Sequence, residues 1–146
     1  MPSTPKLTTY EFNQVTVAFG PILMDGFQDG EGVVIAQSQP RFTKHVGLDG
    51  KVTRAKVHDK SGTVTVRLMQ TSAQNDLLSG LHIADTNAPN GAGILPVYVR
   101  DRNGRSLHTG AEAWITGFGD VTYDQGPTMR EWVIDVAELE NFIGGN

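Results

Sequence analysis

Apolar and polar residues alternate with a period of two along much of the chain. The clearest case is residues 62–69, GTVTVRLM, where aliphatic side chains alternate with threonine and arginine; residues 130–136, REWVIDV, repeat the pattern. Because successive side chains of a strand point to opposite faces, both segments are predicted to be half-buried strands with one polar face. Residues 10–19 and 32–37 are also predicted to be extended, with a bulge near Gln14 where the apolar positions change parity.

A β-hairpin is predicted in the C-terminal half. Residues 94–100 and 106–116 are extended in character, and Asn103-Gly104 lies between them. Asn-Gly favours a type I′ turn, because both central residues of that turn need positive φ. Pro96 cannot donate a backbone hydrogen bond, so it predicts an edge position or a bulge in the first strand.

A further pair of strands is expected at residues 121–123 and 129–137, joined around Gly126-Pro127. The Gly-Pro pair is a strong turn signal, and the residues on each side of it favour extended structure. This pair brings the expected total to seven or eight strands.

One helix is predicted, at residues 72–85. Ser72 is placed to act as its N-cap, and the segment 86–91, TNAPNG, ends it. An apolar stripe should cover one face or an open end of the sheet. That stripe has Ala73, Leu77 and Leu81 on one face, joined by Leu78 and Ala84.

Together these elements predict a mainly β fold with two packed antiparallel sheets, as in a β-sandwich or barrel, and one flanking α-helix. Residues 1–146 are expected to form a single domain, because one core typically serves roughly 100–200 residues. A chain of 146 residues is also long enough to bury a core without disulfides.

Charge is segregated along the chain, although the net charge is only −4. Residues 38–60 carry six basic residues against two acids, a net charge of +4, whereas residues 1–37 carry −3 and residues 61–146 carry −5. One interpretation is a solvated loop. The other is an arm that docks on an acidic surface, such as that of another copy of the chain.

The same basic segment predicts a long hairpin arm that projects from the body. Its tip is expected at residues 48–51, LDGK, and few of its residues have the character of core residues. Such an arm cannot bury much surface against its own domain, so it needs a partner to order it. Its basic residues are Arg41, Lys44, Lys51, Arg54, Lys56 and Lys60.

Motifs give little reason to expect an enzyme, a metal or a cofactor. The absence of cysteine excludes a disulfide framework, a thiolate zinc site and a cysteine nucleophile. No histidine lies in an HExxH arrangement, and His82 is expected on the helix surface. Asp25 and Asp29 suggest a calcium loop, but Phe27 takes a central ligand position and the distal glutamate is missing.

Membrane insertion, secretion and general affinity for nucleic acid are not expected. No apolar run approaches the roughly 20 residues of a membrane-spanning helix. Residues 1–12, MPSTPKLTTYEF, lack an apolar signal core. The mildly acidic chain as a whole gives no reason to expect binding to nucleic acid.

Two segments resemble the tail tube proteins of contractile-tailed bacteriophages. They are residues 46–81, VGLDGKVTRAKVHDKSGTVTVRLMQTSAQNDLLSGL, and residues 19–37, FGPILMDGFQDGEGVVIAQ. The pieces DG-x-VTR and SGTVTV-x-L-x-QTS-x-x-ND carry the resemblance together, and the order of strand, arm, strand and helix agrees with it. It covers most of residues 10–85 and is weaker from Asn90 onward.

The resemblance implies a structural virion protein rather than an enzyme. Six copies would form a ring, and stacked rings would form a continuous tube in which inward strands merge into one large barrel around the lumen. The tube would lie inside the contractile sheath and conduct genome DNA during ejection. Implied partners are further copies of the chain, the sheath, the tape measure protein, baseplate and neck proteins, and DNA in transient passage. Assembly would take place in the host bacterial cytoplasm before the protein becomes part of the virion tail.

Two sets of residues are expected to serve this assembly. In the related tubes the arm bridges subunits or successive rings, so its six basic residues are expected to serve that contact. Lys44, Lys51, Arg54 and Lys56 are expected to meet acids across the contact between rings. DNA must slide through the lumen without sticking, which favours a lining with few cations and some acids. The candidates for that lining are Thr63, Thr65, Glu131 and Asp135.

Three alternatives remain open on the sequence. The chain could be the tube protein of a related contractile injection or secretion system, or a baseplate tube-initiator paralogue. A small β-barrel binding or hydrolytic domain is the alternative of another class, and a buried pocket with a His–carboxylate pair would favour it.

Overall fold

The computed structural model describes residues 7–145, which form ten strands and one α-helix. The helix α1 spans Gln74–Asn87, and a 3-10 turn at Phe12–Gln14 precedes the first strand. The strands are β1 Val15–Phe19, β2 Ile22–Leu23, β3 Val33–Gln37, β4 Phe42–Val46, β5 Val52–Lys56, β6 Gly62–Met69, β7 Leu95–Asp101, β8 Leu107–Phe118, β9 Met129–Val136 and β10 Glu140–Phe142.

The strands form two antiparallel sheets. Eight strands make one sheet in the order β2-β1-β7-β8-β9-β6-β3, with β10 paired to β8, and β4 and β5 form the second. The first part of β8 pairs with β7 and β10, and its second part pairs with β9. The mainly β class with two antiparallel sheets and one helix is confirmed. The large sheet is not closed into a barrel, because its end strands, β2 and β3, do not pair with each other within residues 7–145.

Strands from both ends of the large sheet contribute to one core. Phe19 of β1 and Val66 of β6 are both fully buried and belong to the same apolar cluster. Strands so far apart in the sheet can share a core only if the sheet curls and packs its two halves face to face, as in a sandwich. The cluster also contains Val17, Ile22, Met24, Val64, Leu68, Leu78, Val97, Val99, Ala113, Ile115, Trp132, Ile134, Val136 and Leu139.

Two local expectations about strands are wrong. The change of parity near Gln14 comes from the 3-10 turn at Phe12–Gln14 and not from a bulge. Residues 121–123 form no strand, because β8 continues to Phe118 and pairs directly with β9. Residues 119–128 are therefore the connection between two neighbouring strands.

The β7–β8 hairpin is confirmed, but its turn differs from the predicted type. Neither Asn103 nor Gly104 has positive φ, so the type I′ turn is wrong. Instead, the Asp101 carboxylate accepts a hydrogen bond from the Asn103 backbone N–H at 2.9 Å, which is a typical Asx turn. Pro96 lies in a central strand, and a register shift between Leu95 and Val97 provides the predicted bulge.

The helix lies two residues further along the chain than predicted, and only part of its predicted apolar stripe is buried. Of the predicted stripe, Leu78 is fully buried and Leu81 packs against the core, whereas Leu77 is 53% exposed. The packing face carries polar residues that make specific bonds: Asn75 accepts a hydrogen bond from Trp132 Nε1 at 3.0 Å, and Asp85 accepts two from backbone N–H groups. A count of apolar residues misses such a face.

Candidate functional site

The hairpin β4–β5 presents a face on which apolar and cationic side chains alternate. Lys44 pairs with Arg54, and the Arg54 guanidinium lies 4.3 Å from the centroid of the Phe42 ring. All side chains of this face are exposed. We call it the arm face; it consists of Phe42, Lys44, Val46, Val52, Arg54 and Lys56.

Arg41 fixes the base of the hairpin to the body. Its guanidinium donates hydrogen bonds to the backbone carbonyls of Asp59 at 2.9 Å and Leu139 at 2.8 Å. A third bond, at 3.4 Å, goes to the carbonyl of Lys60. Hydrogen bonds of a charged donor are stronger than neutral ones. Arg41 is therefore committed to its own chain and is less available to a neighbouring copy.

A tight turn completes the base of the hairpin. The side chain of Ser61 donates a hydrogen bond to the Asp59 carboxylate at 2.6 Å, and the Ser61 backbone N–H donates a second at 3.0 Å. These two bonds favour the charged carboxylate and so lower the pKa of Asp59. The turn holds the chain where it leaves the hairpin and enters β6.

The six basic residues predicted in this region therefore occupy three different places. Lys44, Arg54 and Lys56 come together on the arm face. Lys51 lies at the hairpin tip, 4.0 Å from the Asp49 carboxylate, in an exposed pair that contributes only about 0–1 kcal/mol. Arg41 and Lys60 lie at the base.

Substituting Arg41 with alanine should loosen the hairpin without unfolding the body. Loss of hydrogen bonds from a charged donor costs about 1.5–3 kcal/mol each, so local opening should become at least about tenfold more frequent. Amide hydrogen exchange of residues 42–56 in the monomer measures this opening. Lys44→Ala is the matched control and should leave the exchange unchanged; equal exchange in R41A and the wild type would contradict the anchoring role.

The structure places Thr63, Thr65, Glu131 and Asp135 on one face of the large sheet. Thr63 pairs with Asp135 across β6 and β9, and all four side chains are half-buried. The alternate residues Val64, Val66, Trp132 and Ile134 are buried in the core, and Val133 shares the face of Glu131 and Asp135. We call this surface the polar sheet face.

The polar sheet face also carries Arg67, which the sequence prediction of that face did not include. Its guanidinium donates hydrogen bonds to Glu131 at 2.9 Å and to Glu31 at 3.2 Å. With Asp135, the face has three carboxylates for one cation, a net charge of −2. The signal was present in GTVTVRLM, because Arg67 has the same parity as the two threonines.

The layer that carries the polar sheet face has two free strand edges. It consists of the second part of β8 followed by β9, β6 and β3. Neither β3 on its outer side nor residues 114–118 of β8 on the side away from β9 pairs with another described strand. Unpaired edges of this kind are templates for pairing with another chain.

Neither a metal-ligand cluster nor a His–carboxylate ion pair is found within residues 7–145. No group of three or more potential ligands lies close enough to hold a metal ion. His82 is half-buried and packs edge-on against Phe118, with ring centroids 6.2 Å apart, instead of lying on the helix surface. Between residues 7 and 145, no histidine is ion-paired with a carboxylate, and no helix is long and apolar enough to cross a membrane.

Comparison with known sequences points to one family. The family model described as "Bacteriophage PhiTE tail tube protein" matches residues 7–144. The chain is also similar to "Structural protein ORF10" of Pseudomonas phage KPP10, with 31% identity over 147 residues that cover 97% of this chain and 85% of that protein.

Three solved structures with a similar fold come from an extracellular contractile injection system and from the anti-feeding prophage. A chain of the PVC sheath-tube complex of an extracellular contractile injection system, in its extended state, has a TM-score of 0.61 and 11% identity, covering 92% of this chain and 91% of that one. The anti-feeding prophage tube-terminating cap has a TM-score of 0.61 and 8% identity, covering 97% and 95%. The PVC sheath/tube terminator has a TM-score of 0.57 and 11% identity, covering 97% and 99%. At these identities the likeness concerns the fold.

Proposed function

Because the chain belongs to the family of bacteriophage PhiTE tail tube proteins, we propose that it is the building block of a phage tail tube. Six copies form a ring, and stacked rings form the inner tube of a contractile tail through which genome DNA is ejected. The sheath surrounds the tube, and the other partners of the tube are the tape measure, baseplate and neck proteins. The protein is a structural component of the virion rather than an enzyme, assembled in the host cytoplasm.

The observation that carries this proposal is the four-stranded layer with two free edges. Pairing of β3 of one copy with the second part of β8 of the next is a head-to-tail contact. Such a contact forms a ring if the rotation between copies closes. Closure covers both edges and removes the risk of uncontrolled aggregation that exposed edges carry.

The polar sheet face supports the placement of the same layer around the lumen. In a closed ring of such layers, one surface faces inward and the other packs on the core of each copy. The core surface is apolar, so the polar sheet face lines the channel. Its three carboxylates and one doubly paired arginine give a lining that DNA does not grip, because affinity for DNA depends on free cations that neutralise phosphates.

A backbone substitution tests the edge pairing. Hydrogen bonds from Arg67 N to Gly32 O and from Ser38 N to Ser61 O fix which residues of β3 bond to β6. Because bonded and non-bonded pairs alternate in an antiparallel ladder, the N–H of Gln37 points away from β6 towards the free edge. Gln37 is exposed, and proline there removes this donor without breaking a bond within the chain.

We expect wild-type protein and Gln37→Ala to form stacked rings by negative-stain electron microscopy, whereas Gln37→Pro remains monomeric. Proline removes the backbone donor, and its side-chain ring adds bulk at the strand edge. Together these two changes should raise the critical concentration for assembly by about tenfold or more. Circular dichroism of the monomer checks that each variant is folded. Tubes of normal yield from Q37P would contradict pairing at this edge, and wild-type protein that forms neither rings nor tubes would contradict the function.

A tube-terminating or tube-initiating protein is the second candidate, because two of the solved structures with this fold are described as a terminator and a terminating cap. Such a protein would form single rings that do not stack and would be present in one ring per virion. Copy number in purified virions separates the two roles. The neighbouring genes distinguish a phage tail tube protein from the tube protein of a contractile injection or secretion system.

A further inference from the structure

The arm face carries three cations that have no ion-pair partner within residues 7–145. These cations, Lys44, Arg54 and Lys56, are exposed. Between them lie apolar side chains that are also exposed: Phe42 at 46%, Val46 at 60% and Val52 at 62%. An exposed surface that mixes apolar area with charge of one sign is typical of a docking surface.

A groove on the body has the complementary character. It has a volume of about 740 Å³ and lies where β7, β8 and the connection from β9 to β10 meet. Its carboxylates, Glu112, Glu138 and Glu140, are exposed and form no ion pair in the described part of the chain. Its apolar wall includes Pro96, Tyr98 and Ala111.

We propose that the arm face of one copy docks into this groove of a second copy. This inference rests on the proposed function and names the partner surface of the arm. Three unpaired cations meet three unpaired carboxylates, and the apolar residues of the arm meet the apolar wall. Exposed ion pairs contribute little energy each, so their main effect is to select the register and to exclude wrong contacts.

The position of the groove explains why the partner is a second copy. Glu138 and Glu140 flank Leu139, whose carbonyl receives the Arg41 guanidinium at the base of the arm. The groove therefore borders the base of its own arm, and the cations of that arm do not reach its carboxylates within ion-pair distance in the described chain. Each copy offers its arm to one neighbour and receives another arm beside its own. Contacts of this head-to-tail kind propagate from copy to copy.

A reciprocal charge reversal tests the docking. The arm variant carries K44E, R54E and K56E, and the groove variant carries E112K, E138K and E140K. In either variant alone, arm and groove have the same sign, so the critical concentration for assembly should rise by at least about tenfold. In an equimolar mixture, the arm of each variant meets a groove of opposite sign when the two variants alternate. In a chain that carries all six changes, every arm meets a groove of opposite sign. Both should assemble close to the wild-type concentration.

Light scattering and electron microscopy measure assembly, and circular dichroism of the monomers shows that the variants are folded. Recovery of assembly by the mixture supports the docking, because misfolded chains cannot rescue each other. Assembly of either variant alone at the wild-type concentration would overturn it. A second result would also overturn the docking: the wild type forms tubes, but the two folded variants fail to assemble alone, in the mixture and in the chain with all six changes. Neither of these two results would contradict the proposed function. Failure of the wild type itself would overturn both.

A cross-link gives a second, geometric test. The chain contains no cysteine, so a single engineered pair is unambiguous. Lys44→Cys with Glu138→Cys should form a disulfide between copies under mild oxidation, seen as a ladder of covalent multimers. Lys44→Cys with Asp120→Cys is the matched control, because Asp120 is exposed outside the groove, and it should stay monomeric under denaturing conditions. Equal ladders in both pairs would contradict the proposed register.

Discussion

Replacing Leu78 with alanine should lower the free energy of unfolding of the monomer by about 2–5 kcal/mol. Leu78 is fully buried in the common core, where the helix packs on the sheet. Truncation to alanine removes apolar contacts and leaves a cavity that the surrounding strands fill only in part. The loss is a large fraction of the stability of an ordinary domain, which is about 5–15 kcal/mol.

The neighbouring leucine is the matched control for this experiment. Leu77 is on the same helix, but it is 53% exposed, so Leu77→Ala should change the free energy of unfolding by no more than about 0.5 kcal/mol. Urea denaturation, at a protein concentration where light scattering shows monomers, measures both variants. Equal losses for L77A and L78A would mean that the helix is rotated relative to the structure described above.

Lysines introduced on the polar sheet face should make the tubes bind DNA. Thr63→Lys with Thr65→Lys adds two cations per copy to the polar sheet face, which has a net charge of −2 in the natural chain. Tubes of this variant should retain a short labelled DNA duplex at low salt at least about tenfold more strongly than wild-type tubes. Retention should fall steeply as salt is raised from about 50 to 200 mM, because binding releases counterions from the phosphates.

Protection from nuclease shows where the DNA lies. DNA held in the lumen is shielded, so the fraction retained by T63K/T65K tubes should survive digestion. Thr63→Glu with Thr65→Glu is the matched control: it introduces side chains of similar length and opposite charge at the same positions, and its tubes should retain no more DNA than the wild type. Retained DNA that is fully digested would place the polar sheet face on the outside of the tube.

The two ion pairs of Arg67 help to keep the polar sheet face from binding DNA. The arginine is held by Glu31 and Glu131 at 3.2 and 2.9 Å, so its charge is compensated where it stands. A lone arginine on a channel wall would bind phosphates. Arg67 thus connects Glu31, which precedes β3, with Glu131 of β9, and the polar sheet face remains acidic.

Much of the fold follows from local rules that the sequence displays. Alternation in residues 62–69 and 130–136 predicted both the strands and the side chains that share their polar face. Turn residues and charge predicted the hairpin of residues 38–60, which the structure shows as the separate pair β4–β5. These features depend on the two-residue period of strands and on the chemistry of neighbouring residues, which act over a few positions.

Other features required contacts between residues far apart in the sequence. Arg41 and Leu139 are 98 residues apart, and only their contact shows that Arg41 anchors the hairpin instead of extending the arm face. Asn75 and Trp132 are 57 residues apart, and their hydrogen bond helps to orient the helix so that Leu78 is buried and Leu77 is not.

Local sequence patterns were enough to predict the main strands, the side chains that share a strand face in residues 62–69 and 130–136, and the place where positive charge is concentrated. Only the folded chain shows the register that puts Arg67 opposite Glu131, the burial of Leu78 instead of Leu77, and the strand edges that stay unpaired within residues 7–145. The period of side chains along a strand and the local charge depend only on residues that are neighbours in the sequence. Hydrogen bonds and packing between distant segments exist only once the chain has folded.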